Sequence, residues 1–460
     1  MGFKKDFLWG GSVSSMQTEG AWNEGGKGLS IYDVRPVKEG RSDWKAAIDT
    51  YHRYKEDSKL FAGMGFNAYR FSISWSRIFP DGEGAVNLEG LGFYDDFIDD
   101  LIEKGMEPVV CFYHFDMPLN LQRKYKGWLG RETVDAFKVY VETIIKHFGG
   151  RVKYYIPFNE QNAACLMAAE TIGVKADADN AANVTSTCTH HMFMAGAHVR
   201  HAINEFAPHA KAGGMVNFMA MYPATCRPED IMAANAASRS YNYQTLDVIA
   251  TGEYPSDLWR NWEKANVIPP IQEGDFDYLK EAKFDFIAHS YYTSAVVSAK
   301  ENGEAPSGAE VLMSMLGGQK QKNPYLKESQ WDWPIDPAGL RNSVSEMYHR
   351  YRLPVFTIEC GIGVDEQADE KGYVDDQYRI DYFKSHLEQL KLAVDQDGVD
   401  LMGFLTWGPI DILSSQGEMK KRYGFIYVNR TDTDLKDLKR SKKKSYDWFR
   451  RVIVSNGEEL

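Results

Sequence analysis

Eight short runs rich in apolar, aromatic and β-branched residues recur along the chain, at residues 7–15, 68–75, 107–115, 153–160, 211–219, 285–292, 354–361 and 400–409. Each has the length and composition of a buried strand. The stretches between them place apolar residues at helical spacing, as in 45–64, 94–104 and 132–148. Eight strands alternating with helices predict an α/β chain folded as a closed (β/α)8 TIM barrel. The alternation runs from end to end with no linker rich in Gly, Pro or Ser, so residues 1–460 are expected to form a single domain. A doubly wound open sheet is the rival architecture. It would need a glycine-rich nucleotide fingerprint after its first strand, and Gly25-Gly26-Lys27-Gly28 lacks that spacing.

Apolar residues make up 43% of the sequence and aromatics 13%, enough for a large core. A formal charge of -12 argues against nucleic acid as a partner, because phosphate backbones need a broad basic face. No run approaches the roughly 18 apolar residues of a membrane span. The first residues lack the apolar core and cleavage site of a secretory signal. The expectation is a cytoplasmic protein without membrane contact. The five cysteines lack metal-ligand spacing and read as reduced, buried thiols.

Two glutamates carry the candidate chemistry. Glu160 closes Tyr154-Tyr155-Ile156-Pro157-Phe158-Asn159-Glu160, and Glu359 closes Pro354-Val355-Phe356-Thr357-Ile358-Glu359. In a barrel the reactive groups sit at the carboxyl ends of the strands, which puts both glutamates on one face. Facing carboxyl groups about 5 to 5.5 Å apart are what retaining cleavage of a glycosidic bond requires. Either glutamate alone would read equally well as a surface ion pair, so the residues around them decide.

Those surroundings resemble glycoside hydrolase family 1, the retaining β-glycosidases, over residues 7–427. The resemblance is carried by Phe7-Leu8-Trp9-Gly10-Gly11, Gln17-Thr18-Glu19-Gly20, Tyr69-Arg70-Phe71-Ser72-Ile73-Ser74-Trp75, Tyr113-His114-Phe115-Asp116-Met117-Pro118, Phe158-Asn159-Glu160, Ser290-Tyr291-Tyr292, Ile358-Glu359-Cys360-Gly361 and Trp407. It implies Glu359 as nucleophile and Glu160 as the general acid that later serves as base. Arg70 would keep Glu359 ionised and Tyr292 would orient it, although strand alternation lets only one of Tyr291 and Tyr292 face inward. Gln17, His114 and Asn159 are implied to hold sugar hydroxyls, Asn159 at the 2-hydroxyl, with the Trp407 indole against the ring. Taken singly, His114 and Trp407 would read as core residues.

The segment Asp411-Ile412-Leu413-Ser414-Ser415-Gln416-Gly417-Glu418-Met419-Lys420-Lys421-Arg422-Tyr423-Gly424 is similar to the 6-phospho-β-glycosidase branch of that family. Members acting on unphosphorylated sugars carry Asn-x-Glu-Trp here, and that glutamate is missing. A carboxylate would repel a phosphate dianion, whereas Ser414, Ser415, Lys421 and Tyr423 can all donate to one. The rival reading of Lys420-Lys421-Arg422 is a solvated loop, and the basic stretch from Lys439 to Lys444 reads as surface. Phospho-galactosidase members have a tryptophan at the position of Ser415, so the small residue favours a 6-phosphoglucoside. The loop looks one residue shorter than in phospho-glucosidase relatives.

The expected function is a retaining 6-phospho-β-glucosidase that needs no cofactor and no metal, fed by a phosphorylating sugar-import system. The alternatives are a β-glucosidase or 6-phospho-β-galactosidase of the same family, and a non-enzymatic sugar-phosphate sensor. A homodimer is left open, since no sequence feature fixes an interface. Two departures from the family pattern remove no reacting group: Gln161 stands where proline commonly follows the acid, and Cys360 where asparagine commonly follows the nucleophile. Residues 301–334, with Trp331 and Trp333, are expected to wall or cover the barrel mouth.

Overall fold

The computed structural model describes residues 2–166, 174, 180–301, 303–317, 320–370 and 372–460. Eight parallel strands close into a barrel: β1 Leu8–Ser12, β2 Ala68–Ser72, β3 Glu107–Tyr113, β4 Tyr154–Phe158, β5 Lys211–Asn217, β6 Phe286–Tyr291, β7 Val355–Cys360 and β8 Leu401–Trp407. Consecutive strands are neighbours, and β1 pairs with both β2 and β8 to complete the circle. Each lies within one of the eight predicted runs. The closing contact requires a glycine, since a Cβ on Gly10 would sit 1.8 Å from the Ala68 carbonyl oxygen.

The predicted helices form with shifted starts. The first begins at Thr50 rather than 45, because Asp49 before it adopts a left-handed conformation (φ 60) that helical backbone cannot continue through. The second begins at Leu88, where the Asn87 side chain accepts the Glu89 amide and so caps the helix ahead of its apolar pattern. The third spans Arg131–Phe148. Among the described residues no helix is long and apolar enough to cross a membrane.

Inside the barrel, Val109, Ile156, Met215, Phe286, Phe356 and Leu405 form an apolar plug separate from the larger core between strands and helices. The polar residues of interest lie beyond this plug in chain direction, at the carboxyl ends of the strands. One irregularity decides where the seventh strand points its last residues. The β6–β7 pairing shifts register between His289 and Ser290, from His289↔Thr357 to Ser290↔Glu359. With Phe356 and Ile358 in the plug, strict alternation would turn Glu359 outward. The extra residue of the bulge turns it in beside Ser290. Cys360 is left facing the outer helical layer, with its sulfur 3.6 Å from the Tyr382 hydroxyl.

Candidate active site

Glu359 is buried at the carboxyl end of β7. Its Oε1 accepts Arg70 Nη1 at 2.5 Å, and its Oε2 accepts the Tyr292 hydroxyl at 2.8 Å. The inward tyrosine is therefore Tyr292, while the Tyr291 hydroxyl donates to the Asp336 carbonyl behind the strand. Arg70, from β2, is fully buried and spends its second terminal nitrogen on Asn159 Oδ1 at 2.8 Å. That bond uses the oxygen of the Asn159 amide and not its NH2.

Glu160 follows β4 with φ 39, a left-handed backbone rare for a residue with a side chain and typical of functional positions. It is partly exposed. Its Oε1 accepts both the Ser290 hydroxyl at 2.5 Å and Asn217 Nδ2 at 3.0 Å. Ser290 stands opposite Glu359 in the β6–β7 register, and strands in a sheet lie about 4.8 Å apart, so one hydroxyl ties Glu160 to the immediate neighbour of Glu359. Asn217 is held in turn by the Tyr241 hydroxyl and by Asn162. Neither Ser290 nor Asn217 was assigned a role from sequence. Their signal is a polar side chain at the carboxyl end of an otherwise apolar strand. Ser12 is a third such residue: its hydroxyl donates to the Ile358 carbonyl at the β7 bulge.

Burial raises Glu160 above the usual carboxylate range. Burial likewise raises Glu359, with the charge of Glu160 adding to it while Arg70 and Tyr292 favour ionisation. The charge of Glu160 thus disfavours simultaneous ionisation of Glu359. The donors to Glu160 are neutral, whereas Glu359 is in direct contact with a guanidinium.

Around this pair lie the other sequence-predicted contacts. His114 and Trp407 are buried and stacked, with ring centroids 5.5 Å apart. Burial, reinforced by the charge of Arg70, pushes His114 well below its usual range, so the imidazole is neutral. Gln17 lies on the short helix Ser15–Thr18, accepts from the Ser14 hydroxyl and donates to the Leu413 carbonyl at 2.6 Å, which links it to the 411–424 loop.

That loop is built on buried charge. Asp411, fully buried, accepts Arg422 Nη1 at 2.8 Å and Lys443 Nζ at 2.7 Å. Arg379 Nη1 donates to the Tyr423 carbonyl at 2.7 Å and to the Ile362 carbonyl at 3.0 Å. One rival reading and one sequence expectation are thereby corrected. Arg422 is a structural ion-pair partner and no part of a solvated run. The basic stretch from Lys439 to Lys444 is not simply surface either: Lys443 is buried there, and Arg440 pairs with Asp57 at 2.8 Å.

Lys421 behaves differently. It is 8% exposed and has no carboxylate or hydrogen-bond partner among the described residues. Its ammonium lies 4.0 Å from the Trp333 ring centroid, 5.1 Å from Trp331 and 5.8 Å from Tyr423. Burial lowers it to about 8. Glu418, the loop's own glutamate, is engaged by Arg41 at 2.8 Å. Of the two serines, Ser414 is buried and its oxygen accepts the Gln416 and Glu418 amides, leaving its proton to donate, while Ser415 is exposed at the turn. The tryptophans sit on a tight turn in which the Ser329 amide donates to the Trp333 carbonyl. Part of the 301–334 segment lies outside the described residues.

A family model for glycosyl hydrolase family 1 matches residues 1–458. The chain is 43% identical over 471 aligned positions to an aryl-phospho-beta-D-glucosidase of Bacillus subtilis (strain 168), an alignment covering 100% of this chain and 98% of that protein. It is 41% identical over 476 positions to a 6-phospho-beta-glucosidase of Clostridium longisporum, covering 100% and 99%. A family 1 β-glucosidase from Thermotoga maritima superposes with a TM-score of 0.87 at 33% identity, covering 100% of this chain and 99% of that one. Barrel, paired glutamates and whole-length likeness agree: the chain belongs to glycosyl hydrolase family 1.

Proposed function

We propose that this protein is a cytoplasmic, retaining 6-phospho-β-glucosidase that hydrolyses 6-phospho-β-D-glucosides to glucose 6-phosphate and an aglycone. Glu359 attacks the anomeric carbon while Glu160 gives its proton to the departing glycosidic oxygen, leaving a glycosyl ester on Glu359. Ester formation removes the negative charge of Glu359, so Glu160, now ionised, has a lowered proton affinity and is ready to act as base. It takes a proton from water as the water oxygen attacks the same carbon and Glu359 departs. Two inversions retain configuration. Arg70 and Tyr292 hold Glu359 in position, the Asn159 amide is free to donate at the 2-hydroxyl, and His114, Trp407 and Gln17 complete the sugar's surroundings. The chemistry asks for no cofactor.

The observation that carries the phosphate assignment is Lys421. A buried ammonium without an anionic partner is costly, and a protein that keeps one beside its reaction centre has a use for the charge. The dianion of a 6-phosphate supplies the missing partner, with the Tyr423 phenol and the Ser414 hydroxyl as further donors. Relatives named for phospho-β-glucosides support the same reading.

The test is steady-state hydrolysis of p-nitrophenyl β-D-glucoside 6-phosphate, its galactose counterpart and both unphosphorylated glycosides. Wild type is expected to prefer the phosphoglucoside, and Lys421→Ala to lower kcat/KM for it by roughly 10- to 100-fold, the range for a lost hydrogen bond to a charged group. Equal or better wild-type turnover of unphosphorylated glucoside would overturn the phosphate assignment while leaving the two-glutamate mechanism standing.

A further inference from the structure

We propose that Gly363 and Trp333 form the slot that positions Lys421, and that they therefore determine specificity for the 6-phosphate although neither carries a charge. The inference rests on Lys421 being the phosphate's cation.

Gly363 lies four residues beyond Glu359, on the turn that follows β7. A Cβ at this position would sit 2.7 Å from Lys421 Cγ, 2.9 Å from Lys421 Cε and 3.0 Å from Tyr423 Cζ. The missing side chain is thus the space that two of the phosphate donors occupy. The backbone of Gly363 is outside the left-handed region, so its conformation does not require glycine. What requires glycine is the closeness of Lys421 and Tyr423.

The walls of the slot are tied together and cannot separate to admit a methyl group. Arg379 donates from one nitrogen to the carbonyls of both Ile362 and Tyr423, clamping the turn to the loop. Arg379 is itself fully buried against Asp376 and Glu366. Immediately beyond Gly363 the two segments pair as antiparallel backbone, Val364 with Arg422 and Asp365 with Lys421. The aromatic wall is fastened to the same ribbon, because Gln330 Oε1 accepts the Asp365 amide at 2.7 Å. The Trp333 indole in that wall lies 4.0 Å from the ammonium, a cation–π contact. A methyl group at 363 must therefore displace the side chains of Lys421 and Tyr423 rather than the backbone.

The experiment measures kcat and KM for p-nitrophenyl β-D-glucoside with and without its 6-phosphate, in wild type, Gly363→Ala, Trp333→Leu and Lys421→Ala. Gly363→Ala is expected to lower the ratio of phosphorylated to unphosphorylated kcat/KM by roughly tenfold or more, chiefly through the KM of the phosphorylated substrate, as removal of uniform binding does. Trp333→Leu should lower the same ratio. Inhibition by glucose 6-phosphate should weaken in both variants. An unchanged ratio in both, while Lys421→Ala loses it, would overturn the slot and leave the phosphate reading intact. Loss of both substrates in equal proportion would also overturn it, since that is what a merely structural role predicts. An unchanged ratio in Lys421→Ala would remove the phosphate reading beneath it. Should Gly363→Ala fail to fold, Trp333→Leu decides.

Discussion

The two ends of this active site are organised on opposite principles. At the reaction centre the two carboxyl groups already have partners: Arg70 is shared between Glu359 and Asn159, Tyr292 bonds Glu359, and Ser290 and Asn217 hold Glu160. These groups stand on five different barrel strands or on the residues just after them, so their geometry is as rigid as the barrel. At the 411–424 loop the scaffold is held by ion pairs of Asp411 with Arg422 and Lys443 and by hydrogen bonds from Arg379, yet the Lys421 ammonium rests on indole rings. The difference separates chemistry from recognition. Electrostatic stabilisation of a transition state works best when the dipoles are fixed beforehand, whereas recognition of a dianion needs a charge left unsatisfied until the ligand arrives.

The largest way to break this arrangement is at the reacting carboxyls. Glu359→Gln keeps the shape and removes the proposed nucleophile, and activity on every glycoside should fall by roughly 10^4- to 10^6-fold, as for other covalent catalysts stripped of a central residue. Glu160→Ala should be selective. With nitrophenol as leaving group the first step needs little protonation, so a glycosyl-enzyme should accumulate as a burst of nitrophenol; with an alkyl glycoside the loss should reach about 10^2- to 10^4-fold, the usual worth of a general acid. A Glu160→Ala variant that treated both leaving groups alike would deny Glu160 the acid's role.

Legibility in the sequence followed the same divide. The barrel strands are readable because each is a short apolar run buried on both faces, and Glu160, Glu359, Arg70, Asn159 and Tyr292 all meet at the mouth where such strands end. The bulge in β7 was not readable, since a register shift depends on the partner strand, and it is the bulge that turns Glu359 inward. Ser290 and Asn217 were passed over for a related reason. A hydroxyl and an amide have many bland roles, and their contact with Glu160 joins residues far apart in sequence. Charge runs misled most. Lys420, Lys421 and Arg422 are adjacent but have three different fates: an exposed surface charge, an unpaired ammonium in an aromatic slot and a buried ion-pair member. Their partners Asp411 and Glu418 lie in the same loop, yet pairing is set by burial and not by proximity along the chain.

A change of pH sharpens the contrast without any mutation. Burial lowers Lys421 to about 8, so in the free enzyme the ammonium is charged at neutral pH and loses its proton as the solution becomes alkaline. The substrate's phosphate, with its second ionisation near pH 6, is a dianion throughout. The ratio of phosphorylated to unphosphorylated kcat/KM should therefore fall by roughly tenfold between pH 7 and pH 9, since that parameter reports the ionisation of the free enzyme. Titration of Glu160 cancels in the ratio, because both substrates use the same acid. A ratio constant across that range would mean that the phosphate is held without the Lys421 charge.

The smallest expected effect is on stability, and its sign is diagnostic. Lys421 is harder to protonate in the folded protein, at about 8, than at its ordinary 10.5. The unfolded chain therefore binds the proton more readily, and folding bears the full cost of the buried charge below pH 8. The cost fades as pH rises from about 8 to 10.5. Lys421→Met keeps the length of the side chain against Trp333 and Gly363 and removes the charge, so at pH 7 it should raise the melting temperature by about 1–2 °C, the scale on which 1–2 kcal/mol registers in a protein of this size. The gain should vanish near pH 10.5. Glucose 6-phosphate should reverse the order by stabilising wild type more than the variant, because a ligand stabilises the state that binds it. Scanning calorimetry at pH 7 and pH 10, with and without the sugar phosphate, measures all four combinations. A Lys421→Met protein less stable than wild type at pH 7 would mean that the aromatic slot already satisfies the ammonium, and that the site is as fully paired at its phosphate end as at its glutamates.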